Sequence, residues 1–370
     1  MKISVVKELK EGEGRVAETP ENVKKLVDAG NEVLVDNNAG IGSGFTNEEY
    51  EAAGAKIVTP EEAWSADLVL KVKEPDKAEY KYFTEGKVVW GFQHLASSKE
   101  TVEAMMKAGT TAIGAETIFI DGKLALLAPM SAIAGRRSVL QGAAYLEAEH
   151  GGEGILLPGL PQFGIPAGYV VIFGGGSAAT NAADMALGIG CHVSIIEKNP
   201  DRIKWLEENY SGQDVTVLES NDDTLSSEIK KADLFISTIL IPGARPPKLV
   251  TEEMVKSMKP GSVIVDVAID QGGTVETMHP TTIDEPTYIK HGVVHYGVPN
   301  QPGAVPRTAT MGLAAGNIDF LLEIGERGIV DAIKTDEALA SGVNVYEGKV
   351  TNEGLAKSLD LPYVDLNSVL

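Results

Sequence analysis

Three parts of the chain pair reactive side chains with spacings that suit chemistry. The first is Tyr169-Val170-Val171-Ile172-Phe173 followed by Gly174-Gly175-Gly176-Ser177-Ala178-Ala179. Gly174, Gly176 and Ala179 fit G-x-G-x-x-A. The first glycine permits a tight turn out of a strand, and the second lets the backbone approach a pyrophosphate. The small third residue lets the helix pack close to the sheet. Phosphates would sit at the helix N-terminus, where N–H groups and the dipole favour anions. Glycine spacing alone is a weak signal. Here an apolar strand precedes it, an Ala-rich helix follows, and a second strand over 193–196 ends in Glu197, which together make a dinucleotide fingerprint. Glu197 lies about twenty residues on, where an acid accepts from ribose hydroxyls and repels a 2′-phosphate. That favours NAD over NADP, although Lys198 and Arg202 nearby weaken the preference.

The second group lies in the first third of the chain. Arg15 follows Lys7-Glu8 in a Gly-containing loop, Lys73 ends an apolar run, and His94 follows another. In open α/β sheets the carboxyl ends of strands line the binding crevice. Arginine forks onto carboxylates, lysine holds a carboxylate or carbonyl oxygen, and histidine titrates near neutrality and suits acid–base work. Taken singly, Arg15 and Lys73 also read as surface charges, and His94 as a structural histidine. The third group is Asp266 and Asp270, around a strand end that runs into Gly272-Gly273. Asp270 is a candidate base or a turn residue.

These residues need elements to position them. Short β-branched runs at 3–6, 33–35, 68–72, 88–92 and 111–115 alternate with helical patterns that begin at Pro20, with Thr19 as N-cap, and near Thr101. A second alternation supplies strands at 169–173, 192–196, 234–238, 262–267 and 293–296. Long helical patterns cover 131–149 and 310–326, and a Gly- and Pro-rich loop covers 151–166. The βαβ rhythm predicts two Rossmann-like α/β domains with mainly parallel sheets. We expect residues 129–307 to form a nucleotide domain inserted into a discontinuous substrate domain of 1–128 and 308–370, with a cleft between them. A serial arrangement with an extended tail is the competing expectation.

Bulk properties narrow the function classes. The chain has 370 residues, enough for two domains. Its net charge of −21 disfavours nucleic acid and anionic membranes. No apolar run approaches membrane-span length, and the N-terminus has no signal-peptide pattern. One cysteine, Cys191, fits a cytoplasmic setting and reads as a packed thiol. No metal site is indicated, since there is no thiolate cluster and His291 and His295 do not share a helical face.

The sequence resembles the bacterial alanine dehydrogenases, a group that includes the nucleotide-binding domain of proton-translocating transhydrogenase. The resemblance covers essentially the whole chain. It rests on Lys7-Glu8 with Arg15-Val16-Ala17, on Leu70-Lys71-Val72-Lys73-Glu74-Pro75, and on His94-Leu95-Ala96. It continues through Leu126-Leu127-Ala128-Pro129-Met130-Ser131, Ala134-Gly135-Arg136, Pro242-Gly243-Ala244, Asp266 through Gly273, and Asn300 with Pro302-Gly303-Ala304-Val305-Pro306-Arg307-Thr308. It implies reversible oxidative deamination of L-alanine to pyruvate and ammonium, with hydride passing to NAD. Arg15 and Lys73 would bind the substrate's carboxylate and carbonyl, His94 would be the acid–base group, and Asp270 would activate water or stabilise the cationic imine. Asn300 would lie near nicotinamide and substrate, while Leu127 and Met130 would wall the pocket. Ser131, Gly174 through Ala179, Glu197, Arg202, Ser220, Ile239, Leu240, Val267, Asp270, Val298 and Asn300 would line the cofactor site. The family implies a homo-hexamer. Three departures from its pattern are Ala132 where an acid is common, Gln301 where Met is common, and Glu197 where Asp is common. Competing readings are an NAD(H)-binding transhydrogenase-type domain, a dehydrogenase of a larger amino acid, and a non-catalytic NAD-sensing protein.

Overall fold

The computed structural model describes residues 1–370 except Gly122 and 240–245. The chain divides into two compact units, Met1–Met130 with Val305–Leu370, and Ser131–Ala304.

The first unit is built on an eight-stranded sheet. Its parallel part runs Lys56–Val58, Glu32–Asp36, Lys2–Val5, Leu68–Lys73, Val88–Phe92 and Thr111–Gly114. The central strands are buried along nearly their whole length, which is why they read as continuous apolar runs. Val343–Tyr346 then adds antiparallel to Thr111–Gly114, and Lys349–Val350 closes that edge. The tail is therefore part of this sheet. Its strand escaped the sequence reading because it is only four residues long and carries a buried polar residue, Asn344. The helix Pro20–Asp28 starts as expected, with Pro20 in the first turn and the Thr19 side chain accepting from the Asn22 amide. The helix Pro306–Arg327 buries Ala309, Leu313, Ile318, Leu321 and Ile324 and stops at Gly328, whose φ of 82° suits glycine.

The second unit holds a seven-stranded sheet in the order Val215–Glu219, His192–Glu197, Tyr169–Phe173, Leu234–Ser237, Val263–Asp266, Val293–Tyr296, Thr287–Lys290, parallel except for the last strand. The helix Ala128–Tyr145 begins three residues earlier than its sequence pattern, and Pro129 is tolerated in its first turn, where no amide is needed. Cys191 is packed as expected. Its thiol is buried, donates to the Leu157 carbonyl at 3.6 Å, and is pushed up to about 11 by burial. Among the described residues no helix is long and apolar enough to cross a membrane.

One core residue has a pH signature. Glu18 is fully buried, and its Oε2 accepts from Asn22 Nδ2 at 2.9 Å. Asn22 also donates to the Ala314 carbonyl, and the Tyr50 hydroxyl donates to the Glu18 carbonyl. Glu18 Oε1 is a buried oxygen without a donor, which favours the protonated carboxyl. Burial lifts this carboxyl to about 8 against the opposing influence of Asn22, Asn317, the Thr19 amide and Lys25. The native state thus keeps a proton that the unfolded chain releases near 4.5. Stability should fall as pH rises between those two values, by about 1.4 kcal/mol per pH unit for this one group. Glu18→Gln is therefore expected to gain stability relative to the wild type as pH rises from about 5 to about 8, measured by denaturant midpoints. Parallel pH curves for the two proteins would show that Glu18 is ionised in the fold.

Candidate functional site

In the first unit the chain leaves Lys2–Val5 to build the strands on one side, then returns to Leu68–Lys73 on the other. Such a switch point opens a crevice beyond the strand carboxyl ends. Arg15 lies in the loop after Lys2–Val5, Lys73 ends its strand, and His94 follows Val88–Phe92. The three belong to one electrostatic cluster. Lys73 and Arg15 both act on His94, and Arg15 acts on Lys73.

Arg15 is 5% exposed and is held by Glu13. Its Nε donates to Glu13 Oε1 at 2.7 Å and its Nη2 to Oε2 at 2.5 Å. Its Nη1 faces Met130 Sδ at 3.5 Å. That brings one of the two expected wall residues to the guanidinium; Leu127 is half-buried one turn before it. Glu13 was not anticipated from sequence. It looks like one more acid in a Glu-rich loop until folding aims it at the guanidinium. Its carboxyl lies below the usual range: burial raises it, and bonding to Arg15 more than offsets that.

Lys73 is depressed by burial first and by the Arg15 charge second, with Glu74 and Glu13 opposing. Just before it, the pairing between Leu68–Lys73 and Val88–Phe92 shifts register. Gly91 sits where a methyl would press on the Lys71 carbonyl, so the bulge needs glycine there. Lys71 itself is buried between Glu79 at 2.9 Å and Glu8 at 3.4 Å. Glu8 also accepts from the Val72 amide at 2.6 Å. This triad fixes the strand end that delivers Lys73.

His94 is lowered to about 4, by desolvation first and then by Lys73, Lys10 and Arg15, with Glu74 opposing. More than a third of the residue's surface is nonetheless open to solvent. The three cations push the same way as burial. His94 is therefore a neutral imidazole at neutral pH, able to take a proton.

The second unit has its own switch point, beyond Tyr169–Phe173. Gly174 has φ 106°, and a methyl there would lie 2.7 Å from Thr238 Oγ1 and 3.3 Å from Ile239. A methyl on Gly175 would lie 2.6 Å from Glu197 Oε2, so this glycine lets the acid lie against the turn. Glu197 Oε1 accepts from the Lys198 and Asn199 amides at 2.7 and 2.8 Å. Arg202 donates to the Gly175 carbonyl at 2.6 Å and stacks on Trp205, so it clasps the turn. The Ser220 amide donates to the Glu197 carbonyl.

Next to the turn, Gly176 has open space where a side chain would be, and no side chain caps the helix Ser177–Gly188 that starts there. Ala178 is half-buried, while Ala179 is fully buried in the core and serves helix packing. Gly135 lies so close to the Ala178 carbonyl that a methyl would overlap it. Ser131 lies one turn before Gly135 on the same helix face. An open glycine, an uncapped helix start and an acid at the next strand end fit a dinucleotide.

Asp270 is exposed in a short 3-10 turn, and Asn300 has φ 51°. Buried Asp266 ties the Asp270 turn down by accepting from the amides of Ala268, Thr274 and Val275. Val267 is half-buried, with its amide bonded to the Ser237 carbonyl, and Val298 is a core residue. Leu240 and Pro242-Gly243-Ala244 lie outside the described residues.

Comparison with known proteins decides the family. Residues 4–134 match the model described as "Alanine dehydrogenase/PNT, N-terminal domain", and residues 138–353 match "Alanine dehydrogenase/PNT, C-terminal domain". The chain belongs to the alanine dehydrogenase/PNT family. Within it, the chain is 63% identical to alanine dehydrogenase 1 of Staphylococcus aureus strain Mu50, over 100% of both chains. It is similar to a solved L-alanine dehydrogenase at 44% identity and a TM-score of 0.93, covering 97% of this chain and 99% of that one. A solved transhydrogenase from Sinorhizobium meliloti is similar at 29% identity and a TM-score of 0.82, covering 95% and 99%. The α/β architecture read from the sequence is that of this family.

Proposed function

We propose that this protein catalyses the reversible NAD-dependent oxidative deamination of L-alanine to pyruvate and ammonium. The observation that carries this reading is the grouping of Arg15, Lys73 and His94 at the strand ends of one sheet. Full-length identity to an alanine dehydrogenase supports it over the transhydrogenase-type alternative.

In this reading the unit of residues 1–128 and 308–370 holds substrate, and residues 129–307 hold the cofactor. The Arg15 fork binds the substrate carboxylate, in an orientation that Glu13 sets. Lys73, depressed beside other cations, gains from the arrival of an anion and points its ammonium at the carboxylate or carbonyl oxygen. Leu127 and Met130 keep the substrate small. When bound, NAD+ supplies the two-electron acceptor that converts alanine to its iminium form. Asp270 activates the water that adds to the substrate carbon, giving a carbinolamine. The proton that Asp270 takes from that water passes to the amine nitrogen, and neutral His94 takes the proton from the carbinolamine hydroxyl as the C–N bond breaks, leaving pyruvate and releasing ammonia. Ser131, Gly174–Gly176, Ser177, Ala178, Glu197, Arg202, Ser220, Ile239, Leu240, Val267, Val298 and Asn300 form the cofactor's surroundings. We further propose a cytoplasmic homo-hexamer.

The test is a panel of L-amino acids with NAD+ and NADP+, followed by absorbance of the reduced cofactor. Turnover with alanine is expected to lead the panel. A larger amino acid in that place overturns the substrate, and cofactor binding without turnover of any amino acid overturns the reaction. Glu197 makes a separate prediction. Glu197→Gln removes the charge that repels a 2′-phosphate, so the NADP/NAD ratio of kcat/KM is expected to rise about tenfold. An unchanged ratio would remove Glu197 from the ribose.

A further inference from the structure

His94 stands in an unusual backbone state. Its φ of 42° and ψ of 41° put a side chain with a Cβ in the left-handed region, a strained state that persists only where the surroundings impose it. The sheet supplies that imposition from the neighbouring strand. Thr111–Gly114 runs parallel to Val88–Phe92, with Gly114 opposite Gly91. Two residues further on, Glu116 turns its carboxylate back across the gap. Its Oε1 accepts from the His94 amide at 2.7 Å and its Oε2 from the Gln93 amide at 3.2 Å. On the other side the His94 carbonyl accepts from the Ser97 amide at 2.9 Å and hydroxyl at 2.8 Å. Gln93 is itself fixed, with its side-chain amide donating to the Val89 carbonyl at 2.6 Å. Gly114 is needed here too, because a methyl would overlap Asn344 Nδ2 and crowd Glu116 Oε2 at 3.2 Å.

We propose that Glu116 is a positioning residue, a two-pronged clamp on consecutive amides that sets the direction of the His94 imidazole. It touches neither substrate nor cofactor in this scheme and acts through His94. Burial raises the Glu116 carboxyl above its ordinary value, opposed by the amides of Glu116, His94 and Gln93 and by the Lys73 charge. The clamp extends the reading in which His94 does acid–base work, and it rests on that reading for its effect on rate.

The experiment is a double-mutant cycle on the full-length protein. Glu116→Gln keeps the size but turns one prong into a donor that faces an amide. It is expected to lower kcat about 100-fold through misplacement of His94, with the KM for pyruvate changed less than about threefold and NADH affinity preserved. In the His94→Ala background the same change should cost less than about twofold. Equal losses in both backgrounds, or an unchanged kcat in Glu116→Gln alone, overturn the clamp. Retention of activity by His94→Ala alone overturns instead the acid–base reading of His94.

Two measurements stand apart from activity. By NMR with labelled histidine, His94 should titrate near 4 in the wild type and move toward its free value of about 6.5 in Glu116→Gln, as the ring moves away from Lys73, Lys10 and Arg15. An unmoved titration overturns the clamp. Should the Gln variant not fold, exchange of the Gln93 and His94 amides in the wild type decides the matter. Protection is expected, and exchange at the rate of open loops contradicts the proposal.

Discussion

Replacing His94 with alanine is expected to lower turnover of L-alanine by about 100- to 10,000-fold, the range of a general acid–base contribution, while NADH binding survives. The cofactor's proposed contacts come from the Gly174 turn and Glu197, in a different compact unit from His94, so removing the imidazole leaves them alone. The loss should fall on kcat more than on KM, because in the proposed mechanism the ring acts on the proton that moves as the C–N bond breaks and does not hold the carboxylate. The backbone adds a check. Alanine tolerates the left-handed region poorly, so His94→Asn, which enters it more readily, should fold at least as well and still lack the base. A rate within a few-fold of the wild type in both variants would remove His94 from the chemistry. The pH profile follows from the same cluster. With an imidazole held near 4, kcat/KM for deamination should fall in acid only as that group protonates, well below the usual histidine range.

Replacing Arg15 with methionine should do comparable damage by a different route. The variant leaves Glu13 buried without its guanidinium partner and removes the fork proposed to receive the carboxylate. Breaking one side of a buried ion pair costs about 3–5 kcal/mol, and a charge-assisted bidentate contact is of similar weight. A loss of about 4 kcal/mol corresponds to roughly a thousandfold in kcat/KM for pyruvate. Most of it should appear as a raised KM. Arg15→Lys should recover little, because an ammonium cannot fork between Glu13 and a substrate carboxylate. Adding Glu13→Gln to Arg15→Met should restore thermal stability without restoring activity. If kcat/KM for pyruvate survives Arg15→Met within a few-fold, the carboxylate is held elsewhere.

The architecture was legible where burial is continuous. Runs such as Leu68-Val69-Leu70 and Val170-Val171-Ile172 are apolar because both faces of a parallel sheet are covered, and periodicity finds them. Edge strands escaped the reading for the complementary reason. Val215–Glu219 and Thr287–Lys290 are half-exposed, and Lys56–Val58 is only three residues long. Val343–Tyr346 is buried, yet its four residues with Asn344 look like loop.

The candidate site divides the same way. Gly174, Gly176 and Glu197 announce themselves because a local strand–turn–helix dictates their spacing. Arg15, Lys73 and His94 stand out by type and by their place after strands. The carboxylates that hold them carry no such mark. Glu13, Glu8, Glu79 and Glu116 are four of 53 acidic residues, separated from their partners by anything from two to 64 residues. Only the folded chain shows that each is buried against a specific amide or cation.

The central claim is chemical, and one labelling experiment reaches it directly. L-Alanine carrying deuterium on Cα is incubated with NAD+ and the protein, and the products are read by NMR. Deuterium should appear on C4 of the nicotinamide, with pyruvate and ammonium formed in equal amounts to the reduced cofactor. Reduced cofactor without label, or label without ammonium, would contradict oxidative deamination by this protein.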